Sequence, residues 1–327
     1  MSENNLSKAI LFAIAFNGQG GGEHVQSDKI SDSVKSTTLT WVHMDANNPD
    51  TLQWLKKEAN YLDDIILDAL LDSETRPRIL EFKEGMLMIL RGVNLNKGNN
   101  PEDMVSIRLW IDEYRIISLQ CNNFATVHDI VGNLERGKGP KTSEDFTAKL
   151  LLQLFDRMDP ILTALNDSTD DIEEQVMESP DYNEREIIVS IRKQAIMFRR
   201  YMLPQKEVIQ ALLISDLPWL QMNMRHIHES HNMVQRYIED LDAIRERSQV
   251  IKDELTNSLS DRMNKNLYIL SLIAAIFLPL NFLTSLLGVN VGGIPGASNG
   301  NAFWIFTISL ILLVSLQFWF FRKFKWV

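Results

Sequence analysis

The sequence predicts an α+β domain that runs through a long helical stalk into the first of two C-terminal membrane-spanning helices. Three observations predict it. No Asp, Glu, Lys, Arg or His occurs in the 56 residues between Lys265 and Arg322. An apolar stripe at helical spacing leads into that uncharged stretch without interruption. The first part of the chain, to about residue 120, instead alternates strand-length apolar runs with short amphipathic ones.

Within the uncharged stretch, Leu267 to Leu287 and Phe303 to Phe321 are each long enough to cross a hydrocarbon layer about 30 Å thick, which takes about 20 helical residues. A buried core helix is the competing explanation, but two such helices in tandem with no polar face do not suit a soluble core. Both lie at the wrong end for a signal peptide, and the short apolar run in MSENNLSKAILFAIAF suits a strand. Arg262 and Lys265 precede the first span, Arg322, Lys323 and Lys325 follow the second, and Gly288 to Ala302 between them carries no charge. The positive-inside rule therefore puts both ends of the pair in the cytoplasm and the connecting loop outside. Trp304, Trp319 and Trp326 sit near the ends of the second span, where indole prefers the interface.

Residues 1–265 hold all 43 acidic and 30 of the 33 basic side chains, a net charge of −13. That argues against a nucleic-acid partner. It suits the attraction of cations, and equally a solvated acidic surface. The single Cys121 excludes an internal disulfide and a Cys-rich metal site, and fits a reducing compartment.

Taken in order, Ala9 to Phe16 and Leu39 to Met44 read as strands, and NPDTLQWLKKEA and DDIILDALLD as helices with proline or acidic residues in the first turn. RILEFKEGMLMILRGV reads as two strands about Glu84-Gly85, and MVSIRLWI with RIISLQ as two more about Asp112-Glu113. The pattern is an antiparallel meander with helices on one or both faces. From Phe124 the period changes to 3.6. Helices are expected through HDIVGNLE, from Asp145 to about Met177 and from Asn183 to about Leu213, with Pro180, Pro204 and Pro218 as breaks or kinks.

After Pro218 nothing stops the helix. Val234, Ile238, Leu241, Ile244, Ile251, Leu255, Leu259 and Met263 form a stripe that enters the first span. A helix from Trp219 to Leu287 would extend about 100 Å at 1.5 Å per residue. It cannot bury that stripe alone, so it needs the chain's other helices or further copies of itself. The expected divisions are a cytoplasmic domain with accessory helices over 1–218, the stalk over 219–266, spans over 267–287 and 303–321, an outer loop over 288–302 and a basic tail over 322–327.

Two spans cannot enclose a polar path, so a pore requires a ring of subunits. On the first span Asn264, Ser271, Ala274, Leu278, Asn281 and Ser285 follow one another at helical spacing. A carboxamide in a membrane helix is costly unless it faces water or a partner, which makes Asn281 a pore-lining candidate or a helix-packing residue. Beyond the span, GVNVGGIPG (Gly288 to Gly296) combines outward-facing helix-end carbonyls, glycines that permit a tight turn, and the neutral amide of Asn290. Repeated about an axis, these oxygens would form a dipolar ring suited to a cation that keeps much of its water. A plain hairpin turn uses the same glycines but explains Asn290 less well.

A large acidic domain, one very long helix entering the membrane, a Gly-x-Asn motif after the first span and a basic tail resemble the CorA family of divalent-cation transporters. That family usually reads Gly-Met-Asn, whereas this chain reads Gly288-Val289-Asn290. The valine form, with ETRPRIL (Glu74 to Leu80), LERGKGPKTSEDF (Leu134 to Phe146) and RKQAIMFRRYMLPQ (Arg192 to Gln205), is similar to the ZntB branch, associated with zinc. The resemblance implies a funnel-shaped homopentamer in the inner membrane, an α/β/α cytoplasmic domain, and an outer selectivity ring of Gly288, Val289 and Asn290. It implies a pore-facing register of Asn264, Leu267, Leu270, Ala274, Leu278 and Asn281, four of which coincide with the spacing argument. It implies no required cofactor, with zinc as the transported ion. Magnesium or cobalt conduction of the CorA type is the alternative within the family, and a membrane-anchored signalling or scaffold protein the alternative outside it.

Three weaker features complete the reading. His228 and His231 of RHIHESHN share a helix face and invite a metal reading, while His226 points elsewhere; a polar stalk surface is the alternative. Asp167, Asp170, Asp171 and Glu174, with Glu178, lie on one helical face that could gather cations or simply face solvent. Gly132 to Gly139 matches GxxxxGK but ends in glycine where a phosphate loop needs Ser or Thr, and GQGGG near residue 20 lacks the lysine. With no nucleophile–base pair or closed metal motif either, the sequence does not read as an enzyme.

Overall fold

The structure is a computed structural model that describes residues 9–72, 76–221, 224–289, 294, 296 and 299–324. It divides into two compact units, Met1–Asp253 and Glu254–Val327. The first is built on a seven-stranded sheet of β1 (Ile10–Phe16), β2 (Gly22–His24), β3 (Thr40–Asp45), β4 (Arg78–Phe82), β5 (Gly85–Gly92), β6 (Val105–Ile111) and β7 (Arg115–Gln120), in the order β2-β1-β3-β7-β6-β5-β4. The expected meander is present as β4 to β7, each antiparallel to the next. The sheet as a whole departs from that expectation, because β3 lies parallel to β7, with Thr40 opposite Arg115 and Asp45 opposite Gln120. A parallel pair needs a long crossover. The chain supplies one between Asp45 and Arg115, containing α2 (Pro49–Glu58), α3 (Asp64–Leu71) and β4 to β6.

Local chemistry explains the element ends. Asn48 and Asp63 accept hydrogen bonds from the backbone N–H of Asp50 and Ile65, capping α2 and α3. At the first hairpin Lys83 takes a positive φ of 53°, and Gly85 follows because a Cβ there would lie 2.4 Å from the Trp110 ring. At the second, the Asp112 carboxylate accepts from the N–H groups of Tyr114 and Arg115 and fixes the turn.

Alternation places helices on both faces of the sheet. Val42, Met44, Leu87, Trp110, Ile117 and Leu119 share one core with Trp54 and Leu55 of α2, Ile66 and Leu70 of α3, and Ile30 and Val34 of α1 (Ile30–Lys35). On the opposite face Trp41 meets Phe146 edge-on at 4.9 Å. Phe146 belongs to α5 (Ser143–Asp156), which follows α4 (Ala125–Glu135).

His43 sits in that second layer beside Phe12 and Trp41, its Nδ1 2.7 Å from Ser118 Oγ and its Nε2 without a partner. Burial pulls its pKa down to about 4. A base with a depressed folded pKa gives stability that is present above the unfolded value near 6.5 and is lost as pH falls towards 4. The loss should be on the order of 3 kcal/mol across that window. Denaturant unfolding of the intact protein should show this decline, and His43→Gln should flatten it.

The remaining elements are α6 (Asp159–Glu178), α7 (Glu184–Leu213), α8 (Met224–Gly288) and α9 (Ala302–Lys323). The helix expected from Asp145 to Met177 is two helices, parted at Arg157 and Met158, because Pro160 stands at a helix start, where its missing N–H costs nothing. Pro204 does not break α7, which carries buried side chains on both sides of it, among them Phe198, Met202, Val208 and Leu212. The stalk begins later than Trp219, since Pro218–Leu220 forms a 3-10 turn.

The two glycine-rich segments set aside as phosphate loops pack on each other. Gly139 donates to the Gly20 carbonyl at 2.7 Å, and a Cβ on Gly20 would meet the Gly137 carbonyl at 2.9 Å.

Candidate functional site

The stalk part of α8 is held by arginines. Val234, Ile238, Leu241, Ile244, Ile251 and Leu255 of the stripe are buried, and burial fades at Leu259 and Met263. Alongside, Arg199 of α7 bonds Asp242 at 2.7 Å, Arg192 of α7 bonds Gln249, and Arg247 of α8 reaches back to Asp170 and Glu173 of α6. Tyr237 donates to Asp159 at 3.0 Å beside the Phe155 ring, and burial raises the phenol's pKa. RKQAIMFRRYMLPQ thus has a mechanical meaning that spacing alone did not reveal. Arg192 and Arg199 reach the stalk, while the ring of Tyr201 lies under Arg91 and Gln205 accepts from the Arg91 N–H, tying α7 to β5. LERGKGPKTSEDF has one too: Thr142 caps α5 and the Ser143 hydroxyl donates to the Asp112 carbonyl.

In the second unit, two helices are long and apolar enough to cross a membrane, the end of α8 and α9. Leu272, Ala275, Ile276, Pro279, Leu280 and Leu283 are the partly covered positions in the membrane part of α8; in α9, Ala302, Phe306, Thr307, Leu310, Leu313 and Gln317 are partly covered and Phe321 is buried. At 3.6 residues per turn the covered positions of α8 form one face. Asn264, Leu267, Leu270, Ala274, Leu278 and Asn281 lie on the other side, all exposed in the single chain. The face predicted to line a pore is therefore the one that α9 leaves open. Gly288 ends α8 and Val289 is exposed just beyond it. Asn290 lies outside the described residues, as do Val291, Gly292, Gly293 and Pro295 of its loop and Glu74 and Thr75 of ETRPRIL.

The metal candidates stay dispersed. His228 is exposed and His231 half-buried, and desolvation first, then the nearby Lys206 and His228, lower the pKa of His231. A nearby ammonium opposes a bound cation as it opposes a proton. Asp167, Asp170, Asp171 and Glu174 are exposed on α6, with Asp170 engaged by Arg247. Among the described residues no group of three or more His, Cys, Asp or Glu is placed to hold a metal ion.

The chain thus carries a seven-stranded α/β domain, a 65-residue helix whose last part is one apolar membrane-length segment, and a second such helix after it. The family model for the CorA-like Mg2+ transporter protein matches residues 36–323, and the chain belongs to that family. Among its relatives, the divalent cation transporter CmaX of Pseudomonas aeruginosa is 36% identical over 99% of both chains. The zinc transport protein ZntB of Yersinia pseudotuberculosis is 32% identical over 97% of this chain and 96% of its own. The solved structure of full-length CmaX superposes with a TM-score of 0.84 at 35% identity, covering 98% of each chain. These relatives are transporters, not enzymes.

Proposed function

We propose that the chain assembles as a homopentamer in the inner membrane, with both termini cytoplasmic, and conducts divalent cations along the α8 face of Asn264, Leu267, Leu270, Ala274, Leu278 and Asn281. The observation that carries this reading is that α9 covers the opposite face of α8 and leaves a continuous amide-bearing stripe for further copies of the same helix. Leu267, Leu270 and Leu278 make the path narrow and largely apolar, so amide oxygens at Asn264 and Asn281 are its polar stations. Gly288, Val289 and Asn290 form the outer mouth, where neutral dipoles attract a hydrated cation without binding it too tightly to release.

Zinc is the proposed cargo, supported by the ZntB relatives and by the valine in Gly288-Val289-Asn290. Magnesium is the alternative that the family description supports. The test is metal uptake into sealed liposomes holding the purified protein and a zinc-sensitive dye, with magnesium competition and an imposed pH gradient. Zinc entry accelerated by the gradient supports a proton-coupled zinc transporter. Zinc entry suppressed by equimolar magnesium supports a less selective channel, and no divalent flux from assembled protein favours a membrane-anchored scaffold.

A further inference from the structure

Pro279 stands inside α8, in the middle of the first span. A proline has no N–H, so the carbonyl four residues earlier, that of Ala275, loses its helical donor. In hydrocarbon no water replaces that donor, and an unsatisfied backbone group there is expensive. The structure supplies a replacement from the other helix: Gln317 Nε2 lies 3.5 Å from the Ala275 carbonyl oxygen. Gln317 is on the covered face of α9, between Leu313 and Phe321, and is the one carboxamide of that helix. Its Oε1 is buried without a partner. An amide kept in the membrane with half its capacity unused needs a reason, and among the described residues the Ala275 carbonyl is the acceptor it reaches.

We infer that Gln317 is a positioning residue, an inter-helix clasp that closes the gap Pro279 leaves in the first span and so fixes the rotation of the pore-facing side of α8 against α9. Ala274 and Leu278 of the proposed path flank Ala275 and Pro279, so a turn of the helix here turns both. The role in conduction rests on the transport reading; the clasp itself does not.

The inference has an internal control. Pro279→Ala restores an N–H at position 279, which can bond the Ala275 carbonyl within the helix and make Gln317 dispensable. The experiment compares four full-length proteins, native, Gln317→Leu, Pro279→Ala and the double variant, by zinc uptake into liposomes and by thermal unfolding in detergent. Gln317→Leu should lower the maximal uptake rate about three-fold or more, the scale of one inter-helix hydrogen bond in a membrane protein. The half-saturating zinc concentration should stay the same, and the unfolding temperature should fall. In the Pro279→Ala background the same substitution should change neither rate nor unfolding temperature. An equal loss in both backgrounds, or no loss in the native one, overturns the clasp. If Pro279→Ala itself stops uptake, or the native protein shows none, the unfolding comparison decides alone, and absent native uptake counts against the transport reading instead.

Discussion

Replacing Asn290 by alanine should abolish zinc uptake while leaving the assembled protein intact. The size of the effect follows from repetition. A hydrogen bond is worth about 0.5–1.5 kcal/mol in isolation. If the proposed five-fold assembly holds, one substitution would remove five amide oxygens from the same cation, a loss of about 3–7 kcal/mol at the mouth if they act together. At about 1.4 kcal/mol per factor of ten, uptake should fall by at least about 100-fold. The companion substitution Val289→Met, which restores the commoner family residue and keeps Asn290, should preserve uptake. An Asn290→Ala protein that assembles and transports at the native rate would remove this residue from the path.

Asn281→Leu should reduce uptake by more than about ten-fold for a related reason. Asn281 is exposed on the open face of α8, on the side opposite Pro279 and Leu283. Leucine there is comfortable in hydrocarbon but offers a cation nothing, so the middle of the path becomes a continuous apolar constriction that gates by excluding water. The control is Thr284→Val. The Thr284 hydroxyl donates to the carbonyls of Leu280 and Asn281 within its own helix, so its loss should change uptake by less than two-fold or so. Reading the two rates side by side in liposomes separates a pore residue from a polar residue of the same span. A silent Asn281→Leu would return that amide to helix packing.

What could be read from the chain, and what could not, divides by the range of the interactions. The spans and the stalk were legible because charge exclusion and a helical stripe are local in sequence, and the stripe residues from Val234 to Leu255 are buried as their spacing requires. The hairpins were legible because Lys83 and Asp112 close them within a few residues. The β3–β7 pair was not, since its two strands lie far apart in sequence and each looks like any other apolar run. β2 was missed because three residues beside a run of glycines carry no alternation.

For the candidate site the same rule holds. Asn264, Ala274, Leu278 and Asn281 of the open face of α8 could be picked out from spacing, because helix period fixes which residues share a side, whereas Leu267 and Leu270 came only from the family resemblance. The clamps could not, because Arg199 and Asp242, or Arg247 and Asp170, pair across helices that only the fold brings together. Gln317 leaves a trace in the sequence: a solitary carboxamide in one span and a solitary proline in the other each call for a partner. On the acidic face of α6, Asp170 pairs with Arg247, a contact between helices that spacing does not reveal, while Asp167, Asp171 and Glu174 stay exposed.

The central claim is that the open face of α8 is a water-filled path, and thiol accessibility measures it most directly. Single cysteines placed from Asn264 to Ser285 in a Cys121→Ser protein, assembled in liposomes, are exposed to a membrane-impermeant thiol reagent, and both labelling and residual zinc uptake are recorded. The account predicts labelling and block with helical periodicity, high at Asn264, Leu267, Ala274, Leu278 and Asn281 and absent at Leu272, Ile276 and Leu283. Uniform protection along the whole span, or labelling on the α9-facing side instead, would contradict it.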